Sequence, residues 1–91
     1  MVLIKTFFLE LSKSCSLEIP KGAKIFNMQS MAGQVQIYSM FEENAPMEER
    51  CFYLACDDEV IYKDIDNLIY IGSVLKNKMW DKSLHLFEVI K

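Results

Sequence analysis

The residues able to act as nucleophiles or soft metal ligands are one histidine and three cysteines. His85 could serve as a base for a thiol, since residues distant in sequence can meet in a fold. However, nothing in the sequence around Cys15, Cys51 or Cys56 would activate a thiol. A zinc site is disfavoured, because no two cysteines have the C-x₂-C spacing typical of such sites. We therefore expect no catalytic residue, metal ligand or cofactor, and we expect reduced, buried cysteines.

Glycine and acid spacing exclude two further kinds of site. Phosphate-binding and dinucleotide-binding loops need closely spaced glycines, whereas Gly22, Gly33 and Gly72 are far apart. The acidic stretch at residues 57–66 lacks the central glycine and the alternating acids of a calcium-binding EF-hand loop. This stretch therefore predicts a solvated acidic loop.

Charge is distributed unevenly along the chain. The formal net charge is -3 and the pI is about 5.0, which argues against direct nucleic-acid binding. Between positions 42 and 66 only Arg50 and Lys63 oppose a set of acidic residues. We predict that this set forms a partner-binding acidic patch for a protein with a basic surface, since a field of one sign steers an oppositely charged partner. The alternative is two acidic loops that keep a small apolar domain soluble. The set is Glu42, Glu43, Glu48, Glu49, Asp57, Asp58, Glu59, Asp64 and Asp66.

A second candidate contact surface is aromatic. Met79 and Trp80 lie in a turn-like segment, and exposed tryptophan and methionine are enriched at protein interfaces. We predict that they contribute to partner binding or to self-association as a homodimer. In the alternative interpretation, Trp80 folds back over one end of the core.

The elements that position these residues are predicted to be strands. Apolar and polar residues alternate with period two, and β-branched and aromatic residues are frequent. Residues 42–50 are either a loop or one helical turn beginning at Pro46, and residues 57–67 are a loop or a short helix. We predict a single mainly β domain over residues 1–91: a small antiparallel sandwich or barrel of six or seven strands with at most one short helix. The predicted strands cover residues 3–11, 15–19, 23–29, 34–41, 51–56, 68–75 and 83–90.

Three local features are predicted from turn chemistry. Pro20 and Gly22 favour a turn, because proline fixes φ and glycine accepts a positive φ. The short link at residues 30–33 contains a glycine and predicts a hairpin between its flanking strands. Gly72, inside a strand pattern, indicates a bulge or a close approach of another element.

The sequence carries neither a membrane-spanning nor an export pattern. The most apolar stretch, residues 1–9, has Lys5 at its centre and is followed by Glu10. A spanning helix needs about 20 mainly apolar residues, and an export signal places its basic residues before the apolar run. We expect no membrane association.

Five segments, taken in order, resemble a family of small uncharacterised proteins of bacteriophages, prophages and their hosts, a domain of unknown function. The segments read LEIPKGAKI at 17–25, QVQIY at 34–38, NAPMEERCF at 44–52, YIGSV at 70–74 and LHLFEV at 84–89. The resemblance implies a phage context and a location in the bacterial host cytoplasm. Short phage proteins often disable host machinery by occupying a surface, which needs a stable scaffold and a charged or aromatic patch.

The resemblance and the charge pattern together predict a non-enzymatic phage or prophage accessory protein that binds a host protein with a basic surface. An inhibitor of a host defence system such as CRISPR is the expected form. One alternative is a small-molecule or nucleotide-binding protein that sequesters its ligand, and a virion-associated structural protein is another. For the nucleotide alternative, tyrosines would stack on a base and lysines would contact phosphates. Those residues are Tyr38, Tyr53, Tyr70, Lys21, Lys24, Lys76 and Lys78.

Overall fold

Seven β-strands and one 3₁₀ turn form the fold in a computed structural model that describes residues 1–10, 13–31, 34–74 and 83–90. The mainly β class and the predicted strand number are confirmed. The 3₁₀ turn covers Ile65–Asn67, within the stretch that the sequence predicted as a loop or short helix. The strands are β1 Val2–Leu9, β2 Ser14–Pro20, β3 Lys24–Met31, β4 Gln34–Glu42, β5 Met47–Cys56, β6 Leu68–Val74 and β7 Leu84–Val89.

The strands form two antiparallel sheets that pack as a sandwich. A three-stranded sheet has the order β1-β4-β3, and a four-stranded sheet has the order β2-β5-β7-β6. The predicted hairpin across residues 30–33 is confirmed, since β3 and β4 pair as antiparallel neighbours. The chain passes between the sheets three times, from β1 to β2, from β2 to β3 and from β4 to β5, and the amide of Lys21 in the second crossing donates to the carbonyl of Pro46 in the third. The second and third crossings lie at the same end of the sandwich.

The core lies between the inner faces of the two sheets. Period-two alternation directs every second side chain inward. Buried apolar residues therefore come from both sheets and pack against one another between them. The central cluster consists of Leu9, Met28, Val35, Ile37, Phe52 and Leu86. None of the three cysteines is in a disulfide and all are half-buried, so the predicted burial holds only in part.

Two glycines act as the sequence predicted. Gly22 has a φ of 77°, and the amide of Ala23 donates to the carbonyl of Pro20 at 3.1 Å, which closes the turn into β3. At Gly72 the pairing of β6 with β7 shifts register between Tyr70 and Gly72. A Cβ atom at Gly72 would also lie 2.8 Å from Cγ of Met28, so this bulge allows β6 to approach β3 closely.

Arg50 ties the four-stranded sheet to the crossing from β2 to β3. The Arg50 guanidinium donates to both carboxylate oxygens of Glu88, at 2.6 and 2.7 Å, across β5 and β7. It also donates to the carbonyl of Ala23 at 2.6 Å, just before β3. The Glu88 carboxylate raises the pKa of Arg50 above its ordinary value. One side chain thus connects the four-stranded sheet to this crossing and satisfies a backbone carbonyl.

Neither alternative for residues 42–50, a loop or a helical turn from Pro46, holds beyond Pro46. Strand β5 begins at Met47, four residues earlier than the predicted strand, and includes Glu48 and Glu49. The reason is tertiary: Met47 and both glutamates pair with β2, and the carbonyl of Pro46 accepts a hydrogen bond from the amide of Lys21 at 2.7 Å. The acids that suit a helix start are therefore held in extended backbone.

Candidate functional site

Strand β5 separates the nine predicted acidic residues into two groups. Glu48 and Glu49 lie at its start, whereas Asp57 and Asp58 follow its last residue. Ten residues of strand span about 30 Å, so the two groups lie at opposite ends of the four-stranded sheet. Six of the nine lie toward one end and three lie toward the other.

Four members of the larger group lie at or just before the start of β5, and the other two precede β6. Glu42 is the last residue of β4, and Glu43 begins the connection from β4 to β5. Asp64 and Asp66 precede β6, whose first residue is aligned with the last residue of β7. Together with Glu18 of β2, these residues form a surface that we call the acidic end. Its members are Glu18, Glu42, Glu43, Glu48, Glu49, Asp64 and Asp66.

Glu18 and Glu49 are directly opposite each other on β2 and β5. Both side chains are exposed, and residues paired in this way have Cβ atoms about 5 Å apart, where like charges destabilise a sheet. Sequence reasoning missed Glu18, because it lies outside the acidic stretch. Only the register of β2 against β5 reveals the pair.

Few cations neutralise the acidic end. Lys21 and Lys24 lie in or beside the turn between β2 and β3, and Arg50 is engaged with Glu88. Among the described residues, Glu42 is the only one of the seven with an ion-pair partner, the Met1 amino nitrogen at 3.4 Å. All seven carboxylates are exposed except that of Glu48, which is half-buried. The acidic end therefore projects a largely uncompensated negative field.

The smaller acidic group is held by internal contacts instead. A carboxylate oxygen of Asp57 lies 2.6 Å from Nε2 of His85, a pair that links the end of β5 to β7. Glu59 forms an ion pair with Lys13 and accepts a hydrogen bond from the Tyr53 hydroxyl at 2.9 Å. These contacts fix the segment that leaves β5, so they have a structural explanation.

The contacts of Glu59 shift three pKa values in consistent directions. The Lys13 ammonium lowers the pKa of Glu59, and the Glu59 carboxylate raises the pKa of Lys13. Hydrogen bonding to Glu59 also raises the pKa of Tyr53, because the phenol must keep its proton to donate. The three groups therefore stabilise one another in the charge states that they have at neutral pH.

An aromatic row crosses the outer face of the four-stranded sheet. The register aligns Tyr53, Phe87 and Tyr70 on neighbouring strands, and the rings of Tyr70 and Phe87 have centroids 5.5 Å apart. The Lys63 ammonium lies 5.4 Å from the centre of the Tyr53 ring. Tyr38 belongs to the outer face of the other sheet, next to Phe26, so it cannot join this row.

The remaining predicted contact residues, Met79 and Trp80, lie outside the described residues, as do Lys76 and Lys78. Within the described ranges, no three histidine, cysteine or acidic side chains converge in a geometry that could hold a metal ion. No helix in that part of the chain is long and apolar enough to cross a membrane.

Comparisons with known proteins give no assignment: no protein-family model, curated protein or solved structure matches this chain.

The geometry itself offers two candidate binding surfaces. The acidic end suits a cationic surface, since six of its seven carboxylates are exposed and Glu18 and Glu49 are fixed by paired strands. The aromatic row suits a flat ring, because its members are aligned on rigid backbone.

Proposed function

We propose that this chain is a non-catalytic binding protein that docks its acidic end on the basic surface of another protein. The observation that carries the proposal is the opposed Glu18–Glu49 pair. Two exposed carboxylates on adjacent strands cost stability, and a lysine at either position would remove that cost. A locally unfavourable arrangement that a single substitution could relieve is typical of a functional surface.

Rigidity and exposure support the same function. Glu18 and Glu49 project from paired strands, and the backbone of the β4–β5 connection is tied to the β2–β3 turn. Carboxylates held in this way need little ordering when a partner arrives, so less free energy is lost on binding. Their common sign accelerates encounter with a cationic surface and makes the association sensitive to salt.

The more specific form of the proposal comes from the family resemblance. That resemblance implies action in the cytoplasm of a bacterial host, where a basic surface that normally contacts nucleic acid would be a suitable target. Occupation of such a surface by a carboxylate array would block the nucleic acid, since both ligands compete for the same cations. Inhibition of a host defence complex such as CRISPR is therefore the expected outcome.

The test is affinity capture from host lysate with two variants that change net charge equally. Glu49→Lys alters the acidic end, whereas Glu10→Lys alters an exposed acid beyond the far end of β1. We expect wild type and Glu10→Lys to retain the same host protein at low salt, and Glu49→Lys to lose it. Equal recovery by all three, or recovery that does not fall with salt, would contradict the proposal. Mass spectrometry identifies the retained protein.

The aromatic row supports a second candidate, a nucleotide-binding protein. Tyr53 and Tyr70 belong to the row, with Phe87 between them, and Lys63 lies beside it. Asp57 and Glu59 lie at one end of the same sheet and oppose a phosphate, so this candidate ranks second. Thermal stabilisation by a nucleotide, lost in Tyr70→Ala and retained in Tyr38→Ala, would favour it over protein docking.

A further inference from the structure

Strand β1 exposes an apolar segment at the edge of the three-stranded sheet. Met1, Val2, Leu3 and Ile4 are 82%, 60%, 41% and 68% exposed, although successive strand residues point to opposite faces. Both faces of this half of β1 are therefore uncovered in the described structure. Four consecutive exposed apolar residues are unfavourable in water unless another surface covers them.

The outer edge of β1 also carries unpaired backbone groups. The carbonyl of Met1 accepts from the amide of Glu43 at 2.8 Å, and β1 continues against β4 without a register shift. In an antiparallel ladder only alternate residues bond to a given neighbour, so the odd-numbered residues of β1 bond to β4. The amides and carbonyls of the even-numbered residues, Val2 to Phe8, point to the other edge, where no described strand pairs with them.

The other three sheet edges carry features that oppose strand addition. A bulge interrupts β3 between Ile25 and Asn27, and a second interrupts β6 between Tyr70 and Gly72. The edge strand β2 contains Glu18 and ends in Pro20, which has no amide proton. By contrast, β1 has no bulge or proline and carries one charge, that of Lys5. Bulges, charges and prolines are the usual protections of a sheet edge.

We infer that β1 pairs with β1 of a second copy of this chain, antiparallel about a two-fold axis, to give a continuous six-stranded sheet. A second copy fits because the free edge is self-complementary: its even-numbered residues donate and accept in the same alternating pattern on both copies. The antiparallel arrangement also directs the two acidic ends away from each other along the sheet, which limits their mutual repulsion.

Charge selects the register. Pairing of even-numbered residues with one another, with most of β1 in the shared ladder, allows the axis to pass at Ile4, Lys5 or Thr6. An axis at Lys5 would place two ammonium groups directly opposite each other, which is unfavourable. An axis at Ile4 pairs Lys5 with Leu3 of the second copy and keeps the exposed segment of each copy opposite residues 4–7 of the other, whereas an axis at Thr6 would place Val2 beyond the last residue of the second β1. The dimer therefore has Ile4 at its axis.

The area at this interface indicates a reversible dimer. Met1, Val2, Leu3, Ile4 and Phe8 together expose roughly 600 Å² of mostly apolar surface per copy, part of which the dimer covers, from a total chain surface of 6226 Å². With the added backbone edge, two copies bury about 1,000 Å², the lower limit for a specific interface. We therefore expect a dissociation constant on the order of 10 μM.

Sedimentation equilibrium of the full chain tests the dimer. Wild type should change from monomer to dimer as concentration rises through the micromolar range. Ile4→Pro should stay monomeric and folded, because the Ile4 amide faces the free edge and is not bonded to β4. Ile4→Lys, which leaves the backbone unchanged, should also stay monomeric. Ile69→Lys is the matched control, since Ile69 is an exposed isoleucine on an edge strand of the other sheet.

A wild-type chain that is monomeric up to about 1 mM would overturn the proposal. So would an Ile4→Lys variant that dimerises like wild type. Loss of the dimer in Ile69→Lys but not in Ile4→Lys would assign self-association to a different surface.

Oxidative cross-linking tests the register independently. In the proposed dimer, Ile4→Cys places two thiols at facing positions about 5.5 Å apart between Cα atoms, within disulfide range. In Lys5→Cys the two cysteines are offset by two residues along the paired strands, so their Cα atoms are more than 7 Å apart, outside that range. We expect Ile4→Cys to form a disulfide-linked dimer, and Lys5→Cys to behave like wild type with its three native cysteines. Cross-linking of Lys5→Cys but not Ile4→Cys would refute this register.

Discussion

Replacing Glu49 by lysine should stabilise the fold, because it converts a repulsive cross-strand pair into an attractive one. Glu18 and Glu49 are partners in the β2–β5 register and are both exposed. With the two charged groups about 6 Å apart, Coulomb's law at the dielectric constant of water gives about 0.7 kcal/mol of repulsion. Screening at physiological ionic strength reduces this to about 0.3 kcal/mol.

Reversal of one charge changes the sign of this energy, so Glu49→Lys should raise the free energy of unfolding by about 0.6 kcal/mol. For a domain of this size, that corresponds to an increase in Tm of about 3–4 °C. Glu18→Lys should give a similar increase. In the double variant two lysines face each other across the same strands, so its free energy of unfolding should be close to that of wild type. The cycle therefore predicts a coupling energy of about 1.2 kcal/mol.

Urea denaturation of the four proteins at low and high salt measures these energies. In about 1 M salt the differences should fall to a fraction of their low-salt values, since the Debye length is then about 3 Å. Glu10→Lys, with the same change in net charge, should leave stability unchanged and so controls for net charge. Two destabilising single variants, or a double variant as stable as the singles, would refute the reasoning.

Three further predictions concern the scaffold. Arg50→Leu leaves the Glu88 carboxylate and the Ala23 carbonyl without their donor. The free energy of unfolding, measured by urea denaturation, should therefore fall by about 3 kcal/mol. A stability similar to that of wild type would contradict the structural role of this pair. Gly72→Ala should cost about 1–2 kcal/mol, since its Cβ would lie 2.8 Å from Cγ of Met28, and the cost should shrink in a Met28→Ala background. Because the folded-state pKa of Glu59 is lowered, its contribution to stability is present above the ordinary glutamate pKa and is lost as pH falls through the folded value. As pH falls below the ordinary glutamate pKa, the protection of the Glu59 amide against hydrogen exchange, relative to the intrinsic rate at each pH, should therefore decrease in wild type and change less in Glu59→Gln; an equal loss of protection in both would contradict this.

Sequence patterns predicted the strands well, because each strand has one inward and one outward face. The alternation in residues 15–19 and 34–41, for example, matches β2 and β4 to within one or two residues. The start of β5 was not predictable, since Glu48 and Glu49 are poor strand residues and only pairing with β2 extends them. Local preference and tertiary pairing disagree at this position, and tertiary pairing prevails.

The candidate site was only partly predictable for the same reason. The sequence identified the acids, but distance along the chain does not determine position in a sheet. Asp57 lies eight residues from Glu49 and about 25 Å away along β5, whereas Glu18 is 31 positions from Glu49 and directly opposite it. The pairing of Asp57 with His85 depends on the β5–β7 register in the same way.

The most direct test of the acidic end is the affinity of the captured partner for Glu49→Lys, measured at several salt concentrations beside wild type and Glu10→Lys. Docking through the acidic end predicts that Glu49→Lys binds at least 10-fold more weakly at low salt although it is the more stable protein. Its affinity should also depend less steeply on salt than that of the other two. Because Glu49→Lys is the more stable protein, weaker binding could not be attributed to loss of folding. Equal affinity and equal salt dependence for all three proteins would contradict the proposal.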